Sequence, residues 1–579
     1  MSFSKNIKPY RIFIHTQRSL SSGGIDKLNS RKMHQASIKH LTHSKLVSQL
    51  KQYLAKVPQS ELLQSALSKE IAHILQRIEP SIYGSDLIRY FTHSSAMIED
   101  NKIQKKEPKE QNTGLSLPNI LDTLKIKISS NEAPKPKEVS PKWLIKPVIS
   151  KEAISSRTTY LLSSIATSTN EENRLAKVDE FCDHVKQYAD AKHMAVRGGG
   201  ISSLLKIRNV EKSSKVKGAL NEALILLGYT EPVTGAGVRI LSIDGGGTRG
   251  VLVIEMLKKL EELAGKPILE MFDLICGVST GAIIASLIVI QRKSLDEIET
   301  IYKNIGTRVF TQHPIKGTSS LVWSHSYYDT PLWEELLKAE VGEELLISSQ
   351  RNPKTPKLMT VSAVVNQSRL SAYVFRNYNL PCKVQSQYIG GSNHQVWEAV
   401  RASAAAPTYF EEFKLGNTLH QDGGILVNNP TAVAIHEAKL LWPRTPLQCV
   451  ISCGTGRTAP NPIDSSAESV SASSWKSKFL AVIDSATDTE GVHSMLSDLL
   501  PPKTYYRFNP YLTEMLGIAE ISPEKMLQLK KDAIMYLRRN EEKFQEAANT
   551  LKIQKSVMQK LNDYINYQLE MQGIVASKY

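Results

Sequence analysis

"RILSIDGGGTRGVLVIEML", residues 239–257, runs from a β-branched apolar stretch into three consecutive glycines and then resumes its apolar residues at helical spacing. That order spells a strand, a tight turn and a helix, the opening of a βα unit. A helix that starts on such a turn leaves its first backbone N–H groups unpaired and directed into the turn, which can therefore hold an anion. Two anions fit. One is the phosphate of a nucleotide: Gly245, Gly247 and Gly250 match G-x-G-x-x-G, Glu270 follows twenty residues later, Asp244 would then face Mg²⁺, and "ISCGTG" (451–456) offers a second glycine loop. The other is the oxyanion of an ester under attack.

Downstream of Gly237, short β-branched runs alternate with helical ones, which predicts an α/β fold with a mostly parallel sheet covered by helices. "VRILSID" (238–244), "LMTVSAVV" (358–365), "SAYVFRNY" (371–378) and "QCVISCGTG" (448–456) are the strand candidates. Residues 274–290, "LICGVSTGAIIASLIVI", lack any charge and reach the lower edge of membrane-spanning length. Asp273 ahead of them and a glycine-serine turn near their start predict a buried core segment instead, so the chain is expected to lie on a membrane rather than cross it. From Ser522 the chain reads as helix, with Ser522 as cap, Pro523 at the first helical position and Glu524 in the first turn. Upstream, residues 171–229 have helical periodicity, and 199–229 has the pattern of one armadillo-type unit or a plain helical hairpin. Residues 46–78 carry leucines and isoleucines at helical spacing, and 100–150 are rich in Pro, Lys and Glu without a period and read as linker.

A chain of 579 residues is long enough for two to four domains and a sizeable core. Its net charge of +15 is unevenly placed: residues 1–235 hold 36 Lys and Arg against 22 Asp and Glu, the rest 36 against 35. A basic leading half suits an anionic surface. No zinc-finger spacing and no RNA-binding aromatic signature accompanies it, so a membrane is favoured and no nucleic-acid partner is expected. The five cysteines, Cys182, Cys276, Cys382, Cys449 and Cys453, form no CxxC and no paired framework, and read as reduced thiols of an intracellular compartment. The first fifty residues hold nine Lys and Arg against one acid, Asp26, a transit-peptide composition that predicts a mitochondrial address, with an undirected basic N-terminus as the alternative.

"GVSTG" (277–281) matches G-x-S-x-G, preceded by a strand-like run at 272–275 and followed by a helix-like run at 282–290. In that context Ser279 sits on a strained strand-to-helix turn that only small neighbours such as Gly277 and Gly281 let close, and the helix behind it directs its N-terminal amides at developing negative charge. A serine nucleophile needs a base. "HQDGGILVNNP" (420–430) offers Asp422 ahead of Gly423 and Gly424, where an Asx turn without catalytic role is the alternative. His436 and His493 follow Asp422 in the order Ser, Asp, His, but neither has a local signature, and His436 reads as a helix-surface residue.

Taken in order, "DGGGTRG" (244–250), "GVSTG" (277–281) and "DGG" (422–424) resemble the patatin-like phospholipase family, and "ILSIDGGGTRG", "SATDTEGVHSMLSDLLPP" and "YRFNP" further resemble its gamma type of calcium-independent phospholipase A2. The likeness covers about 200–579. It implies a patatin-like three-layer sandwich with a mostly parallel sheet, preceded by a helical, armadillo-like region and followed by C-terminal helices. The corresponding domains are a basic targeting or disordered region at 1–150, a helical region at 151–236, the catalytic domain at 241–435, and core completion with C-terminal helices at 436–579. The resemblance also implies a Ser-Asp dyad, with Ser279 as nucleophile and Asp422 as proton acceptor, and an oxyanion hole from Gly245, Gly246, Gly247, Thr248, Arg249 and Gly250. The expected reaction is hydrolysis of acyl esters of glycerophospholipids at a membrane surface, sn-2, sn-1 or both, with no cofactor and no metal. The ending "ASKY" resembles the Ser-Lys-Leu peroxisomal signal found in relatives, but Tyr579 in place of leucine counts against that address; the mitochondrion is expected first, with peroxisome and endoplasmic reticulum as alternatives. Oligomeric state is not legible.

Overall fold

Residues 238–243 alternate strictly in where they bury, and that alternation builds the molecule. Leu241 and Ile243 enter one hydrophobic core while Val238 and Ile240 enter another, as the period of two in a strand requires. The strand is therefore covered on both faces. The computed structural model describes residues 149–311, 328–457, 489–514 and 516–574. The basic N-terminus, the helical spacing at 46–78, nearly all of the linker at 100–150 and the Ser-Lys-Tyr ending lie outside the described residues.

The described residues open with five helices: α1 (Lys151–Thr167), α2 (Glu171–Gln187), α3 (Ala189–Arg197), α4 (Gly200–Val210) and α5 (Ser214–Leu226). Ser150, Asn170 and Ser213 cap α1, α2 and α5 by accepting a first-turn N–H. Residues 199–229 hold the helix pair α4 and α5. Then β1 (Val238–Ile243), α6 (Gly250–Ala264), the single turn α7 (Ile268–Met271), β2 (Leu274–Val278), α8 (Thr280–Val289), α9 (Leu295–Phe310) and α10 (Thr330–Val341) follow. Next come β3 (Lys357–Val364), β4 (Ser371–Arg376), β5 (Ile389–Gly391), α11 (Val396–Ser403), β6 (Phe413–Leu415), β7 (Thr418–Asp422), α12 (Thr431–Leu441) and β8 (Leu447–Cys453). The chain closes with α13 (Thr489–Leu499), β9 (Tyr505–Phe508), α14 (Pro523–Arg539), α15 (Glu541–Lys552) and α16 (Val557–Gln572).

Seven strands pair in the order β5-β4-β3-β2-β1-β8-β9, with β6 and β7 attached through β3. The central pairs β3/β2, β2/β1, β1/β8 and β8/β9 are parallel; β4 and β7 run antiparallel to β3. Helices α6, α8, α9, α10 and α11 pack on one face, with α14 and α15 completing it, and α1 to α5 with α12 pack on the other. This is the α/β three-layer sandwich expected, with helices before and after. The uncharged run 274–290 divides into β2, an elbow and α8, and no helix among the described residues is long and apolar enough to cross a membrane. Ser522 stands at the N-cap of α14 without capping it; its side chain is turned to Glu520, to which the hydroxyl donates at 2.6 Å.

One detail of register positions the site. β2 flanks β3 as far as Val361, opposite Val278, and β7 takes over the same side of β3 from Ser362, opposite Asp422. The ends of β2 and β7 thus meet head-on beside β3. Residue 279 follows the one, and residue 422 ends the other.

Candidate active site

Ser279 adopts φ 54° and ψ −120°, a backbone that a residue with a side chain rarely takes. Its neighbours explain how the turn closes. A Cβ on Gly277 would fall inside 3.0 Å of the Gly281 backbone, and a Cβ on Gly281 inside 3.0 Å of the end of β1. The elbow is tied down by Ser403, whose hydroxyl accepts the Ser279 N–H at 2.9 Å and donates to the Val361 carbonyl at 2.6 Å. Nothing in the sequence around Ser403 announces this role; only the packing of α11 against β3 brings it there.

Ser279 Oγ donates to Asp422 Oδ2 at 2.6 Å, while Asp422 Oδ1 accepts the Gly424 N–H at 2.7 Å. Asp422 is buried, and burial pushes its pKa from 3.8 up to about 6, against the bonds from Ser279 and Gly424 that favour the carboxylate. Gly423 lies so close to β3 that a Cβ would meet the Val361 carbonyl. No histidine completes a triad among the described residues. His436 accepts from the Gln387 N–H at 3.3 Å, and His493 bonds Ser497. His420, two residues before Asp422, is buried with its ring nitrogens on Ser362 and Thr418, both at 2.8 Å, and burial lowers its pKa to about 4.

The glycine loop sits beside the elbow: a Cβ on Gly245 would lie 3.2 Å from that of Ser279. Its carbonyls are held one by one. Thr455 Oγ1 donates to Gly245 O at 2.6 Å, Arg249 donates to Gly246 O from N at 3.3 Å and from Nε at 3.2 Å, and Tyr302, which also bonds Thr280, donates to Gly247 O. Four loop amides have protein acceptors: Gly245 N–H reaches Asn428 O at 3.3 Å, Thr248 N–H reaches Ile518 O at 2.8 Å, and those of Arg249 and Gly250 turn back into the loop. The Gly246 and Gly247 N–H groups have no acceptor among the described residues. In a trans peptide C=O and N–H point opposite ways, so pinning Gly245 O and Gly246 O directs these two N–H groups away from their anchors. Thr455 belongs to the second glycine run, which braces the first. Asp244, the residue a nucleotide reading would place on Mg²⁺, is buried in an ion pair with Arg507 at 2.7 Å.

A cavity opens beside Ser279 and Gly247, walled by Ile283, Ile305, Val309, Phe310, Trp333 and Phe410. Apart from the loop and the Ser279, Thr280, Tyr302 and Tyr409 hydroxyls, its walls are aliphatic or aromatic. Such walls match an apolar chain in chemistry, and burial of one contributes roughly 0.8 kcal/mol per CH₂.

Residues 241–435 match the family model for patatin-like phospholipases. The chain is similar to human calcium-independent phospholipase A2-gamma, with 44% identity over 425 residues, 73% of this chain and 54% of that protein. The mouse protein of the same name is 43% identical over the same length, and phospholipase A I of Arabidopsis thaliana is 31% identical over 428 residues, 62% of this chain and 32% of that one. The chain thus spans about half the length of its mammalian relatives. Both the match and the three motifs fall on the sheet, elbow and loop described above: residues 241–435 form a segment of the patatin-like phospholipase type.

Proposed function

We propose that the protein is a calcium-independent acyl hydrolase of glycerophospholipids, working at a membrane surface through a dyad of Ser279 and Asp422. The observation that carries the reading is the 2.6 Å bond between these two groups on a strained elbow at the mouth of an apolar cavity. An acyl chain enters the cavity and places its ester carbonyl at the elbow. Ser279 Oγ attacks the carbonyl carbon as its proton passes to Asp422 Oδ2. The carbonyl oxygen becomes an oxyanion, and the Gly246 and Gly247 N–H groups, with the N-terminal turn of α8 behind Thr280, are the donors placed to receive it. Collapse breaks the ester bond, and the leaving lysophospholipid alkoxide takes the proton from Asp422. Water then attacks the acyl-serine, its proton going to Asp422, and fatty acid leaves as Ser279 recovers its proton. Every step uses groups of the chain and water alone.

The names and activities of the relatives support the phospholipid substrate, and the elevated pKa of Asp422 supports its role as a base that holds a proton transiently. A fluorophosphonate probe tests the reading. It is expected to label the wild-type protein in the presence of a chelator and to leave Ser279→Ala unlabelled; equal labelling of both would remove Ser279 as nucleophile.

A further inference from the structure

A second cavity lies where the segment after β8, strand β9 and helices α13, α14 and α15 converge, and it shares no lining residue with the cavity at Ser279. Four cations line it, Arg457, Arg507, Arg539 and Lys543, against two carboxylates, Glu490 and Asp532. Both carboxylates are committed. Asp532 accepts from the Thr513 N–H at 2.9 Å and its hydroxyl at 2.6 Å, and Glu490 is shared by Arg457 at 2.6 Å, Arg507 at 3.1 Å and Asn509 at 2.9 Å. Arg507 is held further by Asp244.

Counting Asp244 behind Arg507, three carboxylates face four cations, which leaves an excess of one positive charge on the side of Arg539 and Lys543. Among the described residues Arg539 has no carboxylate within ion-pair reach, and Lys543 meets only the Arg507 carbonyl, at 2.7 Å, and the face of Phe508. Arg457 keeps its Nε–H buried without an acceptor while its guanidinium lies 4.3 Å from the centre of the exposed Tyr511 ring. Burial and then the charges of Arg457 and Arg507 lower the pKa of Lys543, with Glu490 opposing them. Guanidinium forks and an ammonium converging on one hollow match the oxygens of a tetrahedral oxyanion.

We propose that this cavity is a binding site for a phosphate group, either a soluble phosphate or the phosphomonoester headgroup of a lipid, recognised by Arg457, Arg539 and Lys543. The site goes beyond the hydrolytic reading and does not depend on it. Two assays on the full chain test it: equilibrium dialysis against radiolabelled inorganic phosphate, and sedimentation with phosphatidylcholine vesicles that contain or lack phosphatidic acid. Wild type and Ser279→Ala are expected to bind alike and saturably in at least one arm, and Arg539→Gln and Lys543→Met to bind about tenfold more weakly or worse. Binding in the dialysis arm assigns a soluble ligand; binding confined to phosphatidic acid vesicles, with the same loss in the variants, assigns a lipid headgroup. Arg539 is exposed, so Arg539→Gln keeps its fold, as circular dichroism would show. No saturable binding in either arm, or full binding by folded Arg539→Gln, overturns the proposal.

Discussion

Asp422 must be ionised to accept a proton, and its burial opposes that ionisation. With a folded pKa near 6 against an ordinary 3.8, the working form is lost as pH falls through about 6, so turnover should follow an acid limb with that midpoint. A pH profile of kcat on a non-titrating ester would show it. The same burial has a sign for stability. Between pH 4 and 6 the folded state binds more protons than the unfolded one, so this group's contribution falls as pH rises through that window. Asp422→Asn, inactive, should then melt higher than wild type at pH 8 by about 1–3 kcal/mol, with the gain shrinking toward pH 4.5 in calorimetry. Thr455 acts at one remove: it holds the Gly245 carbonyl and through that peptide the Gly246 N–H. Thr455→Val keeps the shape and loses the bond, and should lower kcat about tenfold to a hundredfold while KM stays within a factor of a few. Ser279, Asp422 and the glycines were legible because each imposes a local backbone demand that shows as a motif. Thr455, Ser403 and Tyr302 reach the site through packing of distant segments, and no local pattern marks them.

At the scale of elements, the G-x-S-x-G elbow is a contact between backbones. Gly277 and Gly281 permit β2, α8 and the end of β1 to touch where any Cβ would intrude. Gly277→Ala should cost about 2 kcal/mol or more and show as a lowered denaturation midpoint. Gly306→Ala is the contrasting case: it lies inside α9 with only a 3.9 Å contact awaiting its methyl, and should stabilise by about 0.5–1 kcal/mol. The strands β1, β3, β4 and β8 could be read from β-branched runs, and α8 from its apolar length. Ser522 shows where such reading stops. Its sequence position is right for a cap, but its side chain is turned to the Glu520 carboxylate, an orientation that periodicity does not register.

Over the whole molecule, the family-matched segment 241–435 is not a self-sufficient sheet. β1 lies between β2 and β8, β9 follows β8, and α14 and α15 close the apolar face of α6. The ion pair of Asp244 with Arg507 joins the glycine loop to β9 from inside this C-terminal part. Arg507→Leu leaves the Asp244 carboxylate buried alone and should destabilise by about 3–5 kcal/mol in urea titration. A chain that stops after residue 457 loses β9 and its helices and is expected to be insoluble. The sequence announced a mostly parallel sheet covered by helices through alternating β and α texture, but the takeover of one side of β3 by β7, which brings Asp422 to Ser279, is a long-range register that local texture does not carry. The central claim, a two-residue engine, is tested most directly by fatty acid release from labelled phosphatidylcholine in chelator. The account predicts release by wild type, His436→Ala and His493→Ala, and none above background by Ser279→Ala or Asp422→Asn; sustained release by folded Asp422→Asn, or its loss in either histidine variant, would contradict it.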